Sequence, residues 1–180
     1  MKLLLFRNLL PCLLLVLVPA CKCGPTSDLE IEGSGRFKAQ VRQALVLLQQ
    51  QDLAAYEILT NNVGRIQEGE PSGMQAYATP PVYVMSDVTA FYSLTWCAAT
   101  IAHDSFHSKL YHDYQRTNSG PVPDSVWMGR AAEQKCMSYQ IEAMRKLGSP
   151  EHEISYARTQ ADGHYVTDAQ SWQEYRNRNW

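Results

Sequence analysis

Apolar residues recur at helical spacing along much of this chain. From Arg36 to Thr60, Phe37, Val41, Leu45, Leu48, Ala55 and Leu59 fall every three or four positions or at multiples of that step, and Asn61, Asn62 and Gly64 supply a stop. The pattern predicts an amphipathic helix, kinked around Gln49 to Asp52, with a packing role. Residues 65–81 are polar and interrupted by Gly69, Pro71, Gly73, Pro80 and Pro81, which predicts a loop. Val82-Tyr83-Val84-Met85 is short and β-branched and reads as a strand; Ser86 or Asp87 can cap the helix that follows.

Val88 to Tyr114 contains no Gly or Pro and carries two apolar faces. Phe91, Leu94, Ala98, Ile101 and Ser105 lie on one, and Trp96, Ala99, His103, His107, Leu110 and Tyr114 on the other. Such a helix should be buried on most of its circumference. Arg116 to Pro123 is a loop, and Asp124 caps a second long helix from about Ser125 to Leu147, ended by Gly148-Ser149-Pro150. Its inward stripe holds Glu133, Cys136, Gln140, Ala143 and Leu147. Beyond it the pattern weakens. His152, Ile154, Tyr156, His164, Tyr165 and Val166 suggest a short strand, and Ala169 to Asn179 a final helix. The expected fold class is therefore α+β, mainly helical, with a small sheet next to two packed helices.

The amino terminus changes the domain count. Lys2 and Arg7 precede the apolar run Leu9 to Val18, too short to span a bilayer, so residues 1–20 read as an export signal. The signal ends Val18-Pro19-Ala20-Cys21, which resembles the lipobox of bacterial lipoproteins, and Cys21 is then the expected lipidation site. The expected location is the bacterial cell envelope, anchored to a membrane by lipid; cleavage after Ala20 without lipid would leave a soluble secreted or periplasmic protein. Residues 21–35 would form a tether and 36–180 a single domain, with a core of its own. The exported part has 14 basic and 18 acidic residues, a net charge of −4, with no basic cluster to bind nucleic acid. Of the five cysteines, Cys97 and Cys136 lie in the two long helices. An oxidising compartment permits a disulfide between them, and two small buried apolar residues are the alternative.

His103 and His107 are four apart, so both imidazoles project from one helical face, as two ligands of a zinc ion must. Buried histidines need partners for their nitrogens, and Glu133, a carboxylate on a core-facing stripe, needs a positive one. Together the three make a tetrahedral site with one position open to water. Asp113, six residues after His107, is a rival third ligand because its place resembles that of the third ligand in metzincin-type enzymes, but Leu110 stands where that resemblance implies a glycine to let the chain turn back to the metal. His112 falls off the metal face. The same residues without an ion would be a buried histidine pair satisfied by Glu133.

The run His103-Asp104-Ser105-Phe106-His107 resembles the H-E-x-x-H helix of zincin metallopeptidases, with Asp104 in the place of the catalytic glutamate. A glutamate on a later helix, 26 residues after His107, resembles the gluzincin pattern. The resemblance covers about Val82 to Leu147. It implies a zincin-like fold, a Zn2+ cofactor and a peptide or protein substrate. Asp104 would be the general base, and the oxyanion donor would come from a region after the glutamate ligand, where His164 and Tyr165 are the candidates. The string from Thr95-Trp96-Cys97 to His152-Glu153-Ile154 is also similar to exported bacterial proteins of unassigned function. Two functions follow as expectations: an envelope zinc hydrolase, most simply a peptidase, or a non-catalytic envelope lipoprotein that keeps a zincin-like scaffold.

Overall fold

The chain enters its sheet earlier than its composition suggests. Glu30–Glu32 (β1), inside the expected tether, pairs in parallel with Arg65–Glu68 (β2), with Ile31 opposite Ile66. A computed structural model describes residues 29–163, the side chains of 161–163 excepted. Gly35–Gln51 (α1) and Leu53–Asn62 (α2) connect β1 to β2. They meet at Asp52, at the end of the stretch where the sequence predicts a kink. Asp52 ends α1 through its N–H to the Leu48 carbonyl, and its carboxylate caps α2 by accepting from Ala55 N at 3.3 Å. Lys146 Nζ, 3.2 Å away, neutralises that largely buried carboxylate.

Residues 65–81, expected as a loop, contain two strands. β2 has a single buried side chain, Ile66, and Gly73–Gln75 (β3) has only Met74, so neither gives a readable alternation. Val82–Met85 (β4) lies between them, parallel to β2 and antiparallel to β3, and the sheet order is β1-β2-β4-β3. The entry to β3 is held by a buried hydroxyl cluster in which Ser72 Oγ donates to Ser86 Oγ and accepts from Ser86 N, with Thr89 Oγ1 3.1 Å away.

The corner between α2 and β2 leaves no room for a side chain. A Cβ on Gly64 would lie 2.4 Å from Pro80 Cβ, while Gly64 N and Arg65 N both donate to the Pro81 carbonyl. Gly64→Ala is therefore expected to lower stability by about 1–3 kcal/mol through overpacking. A urea midpoint equal to that of the wild type would show that the Pro80 corner yields freely.

The helix expected over 88–114 is two helices, Asp87–Phe91 (α3) and Leu94–Thr117 (α4), because Ser93 leaves helical geometry and caps α4 by accepting from Trp96 N at 2.9 Å. α4 runs through the middle of the molecule against α1, α2, α3 and the β3–β4 edge, and it is buried from Trp96 to Ser105 without a break. The helix expected over 125–147 is likewise Asp124–Trp127 (α5) and Arg130–Lys146 (α6), broken at Met128 and Gly129. Glu151–Gly163 (α7) follows, so the part of the expected strand that lies at His152 to Tyr156 is helical.

α4 and α6 pack together as expected, yet Cys97 and Cys136 are both buried and free, correcting the expected disulfide. Cys97 Sγ sits 3.8 Å from Met85 Sδ, whereas Cys136 interacts with His107. Ten residues separate Cys97 from His107 along α4, about 15 Å of helix, against the roughly 7 Å a disulfide allows between Cα atoms.

Candidate metal centre

His103, Asp104 and His107 leave the buried middle of α4 towards α6, which supplies Glu133 from its first turn. The two imidazole Nε2 atoms are 3.0 Å apart, and Glu133 Oε2 lies 3.6 Å from that of His103 and 3.5 Å from that of His107. Three ligand atoms around a zinc-sized ion at about 2.0–2.1 Å would be separated by tetrahedral edges of about 3.3–3.4 Å. The three observed edges bracket that value. The group could therefore hold a metal ion with shifts of a few tenths of an ångström, and among the described residues it is the one cluster of histidine, cysteine and carboxylate side chains close enough to do so.

The orientation of His107 is fixed from behind. Its Nδ1 makes a short hydrogen bond to the Trp127 carbonyl, and since a carbonyl only accepts, Nδ1 carries a hydrogen, which leaves Nε2 as the nitrogen that would face an ion once its own proton is lost. That carbonyl is available because α5 ends there; in one continuous helix it would accept from the N–H four residues on. Trp127 is 3% exposed and held edge-on by Tyr77 and Tyr111. The one sequence signal for this partner was Gly129, inside a predicted helix, whose Cβ would come within 3.1 Å of Ser125 Cα.

Beside the ligands is a cavity of about 20 Å³, lined also by Asp104, Thr100 and Gln140 and, from the sheet, by Ser72 and Gly73. Such a space holds one water. Asp104, one methylene shorter than a glutamate, still lines this cavity. Burial raises the Asp104 pKa above the usual aspartate range, and His103 and His107 oppose that rise. Burial alone would also raise the Glu133 pKa, but the hydrogen bonds and charges of the two histidines outweigh it and hold the carboxyl far below its ordinary range. For His107 burial works downward, and Cys136 and Glu133 overcome it, raising the pKa well above the usual imidazole value. Without an ion, Glu133 thus serves as counter-charge to a protonated His107; an ion would compete with that proton.

The rivals are placed elsewhere. Asp113 pairs at the surface with Lys109 and Arg116, and His112 faces Gln115 at 3.4 Å. Cys21, His164, Tyr165 and the expected final helix lie outside the described residues. Trp127, Gln140, Ser72 and Gly73 were not expected at the site. Set against family models, curated proteins and solved structures, the chain matches none.

Proposed function

We propose that this protein is a zinc hydrolase of zincin-like architecture, acting on peptides in the bacterial envelope. The carrying observation is the triangle of His103, His107 and Glu133, with edges that suit a four-coordinate ion, beside a one-water cavity that also admits Asp104. Zinc held by these residues would lower the pKa of a bound water to about 7. The chain's own part is then simple. Asp104 takes a proton from the attacking water as its oxygen bonds to the peptide carbonyl carbon, and passes that proton to the departing amine as the C–N bond breaks. Glu133 and the Trp127 carbonyl keep the two imidazoles aimed.

A peptide is favoured over other acyl substrates by β3. The sheet order leaves β3 at the edge, and Ser72 and Gly73 at its start line the cavity, so an extended chain added to that edge would pass the site. The alternative, a non-catalytic lipoprotein with this scaffold, is favoured by the small cavity and the short Asp104 side chain. Export and lipid attachment at Cys21 belong to the proposal and rest on the sequence alone. Among the described residues no helix is long and apolar enough to cross a membrane.

The deciding experiment is cleavage of a peptide library by the zinc-loaded protein and its Asp104→Asn variant. Chelator-sensitive cleavage by the first alone supports the hydrolase; a zinc-loaded protein that cleaves nothing leaves the scaffold reading. Zinc at 100 times its Kd should also raise the unfolding free energy by about 2.7 kcal/mol. No change in melting temperature on adding zinc would contradict a preformed site.

A further inference from the structure

We infer that Gln140 is the residue that positions the water of this site. The inference rests on the metal reading above, though not on peptide turnover. Gln140 lies on α6 two turns beyond Glu133, on the same inward stripe. Its side chain is 1% exposed, and neither Nε2 nor Oε1 has a hydrogen-bond partner among the described residues. An amide left so in a core is destabilising, so a buried, unpartnered glutamine calls for a reason. The reason is the cavity it lines.

The other polar side chains there are committed. Thr100 Oγ1 donates to the Cys97 carbonyl at 3.0 Å, Ser72 Oγ is engaged by Ser86 and Thr89, and the two histidines converge on Glu133. Gln140 remains, with Asp104, whose carboxylate also interacts with the Tyr83 hydroxyl. A water between them has two hydrogens to give: the Asp104 carboxylate receives the one that is transferred, and Gln140 Oε1 receives the other, fixing which lone pair faces the substrate carbonyl. Buried waters typically make about three hydrogen bonds, and the ligand group with these two side chains supplies that number. Gln140 is thus a positioning residue, distinct from the ligands and from the base.

The test replaces the amide with apolar side chains of similar length, Gln140→Leu and Gln140→Met, in the full chain. Zinc affinity is measured by chelator competition, and acetohydroxamate, which places its oxygens where the water would sit, is titrated onto the zinc-loaded proteins. Both variants should fold with a melting temperature at or above that of the wild type and keep the wild-type zinc affinity within threefold. Acetohydroxamate should bind them about tenfold more weakly. A loss below threefold in both variants overturns the inference, as does a wild-type protein that takes up no zinc. If the wild type binds zinc and acetohydroxamate, the variants show the loss and no peptide is cleaved, the peptidase reading fails while Gln140 keeps its role.

Discussion

Glu133→Ala is expected to weaken zinc binding by more than about 100-fold, the upper end of what loss of a mere supporting partner does to such sites. The carboxylate is the sole ligand that α6 brings, and without it two imidazoles on one helix face are left with no third vertex. The fold should survive, because the Glu133 side chain is 15% exposed and the α4–α6 contact is carried by apolar neighbours such as Met137 and Met144. Zinc affinity by chelator competition, with circular dichroism as the control for folding, checks this. A variant that keeps its affinity within tenfold would place the third ligand elsewhere.

The second large effect belongs to Asp104. Asp104→Asn should leave zinc bound, since Asp104 is not at a vertex of the ligand triangle, while turnover falls by about 10²–10⁴, the usual worth of a positioned base. Asp104→Glu sharpens the point. Its extra methylene would enter a cavity of about 20 Å³, the room of the single water, so restoring the glutamate of the H-E-x-x-H pattern is expected to lower the rate here. A faster Asp104→Glu enzyme would mean that α4 stands further from the water than the cavity suggests. Loss of zinc in the Asn variant would make Asp104 a ligand or a structural carboxylate.

The grouping of His103, His107 and Glu133 was legible because it rests on periodicity: i and i+4 on a helix without Gly or Pro, and a carboxylate on an apolar stripe, are statements about one element at a time. What the sequence hid depends on two elements at once. The Trp127 carbonyl matters only because α5 stops there and α4 passes behind it, and Gln140 reads from sequence as one more inward residue. β2 and β3 were missed because three- and four-residue strands with one buried side chain each carry too little pattern, and their pairing is set by β4. The breaks at Ser93 and Gly129 were missed for a related reason. Ser93 is a strong N-cap type and Gly129 a weak helix former, yet each stands inside a run whose apolar spacing continues across it. Cys97 and Cys136 occupy packed helices, but spacing on each helix says nothing about where along the shared axis the two thiols fall.

The burial of α4 on all sides has a kinetic corollary. Amides in its middle, from Trp96 to Ser105, can exchange with solvent only when the helices around them separate, so they should be among the last to exchange, at a rate set by global opening. His103, Asp104 and His107 sit in or beside that slowest segment, whereas Glu133 arrives on a helix that begins one residue after the Met128–Gly129 break. Entry and departure of an ion would then be governed by motion of the start of α6 rather than of α4, and the pace of metal exchange would follow opening at the Met128–Gly129 break.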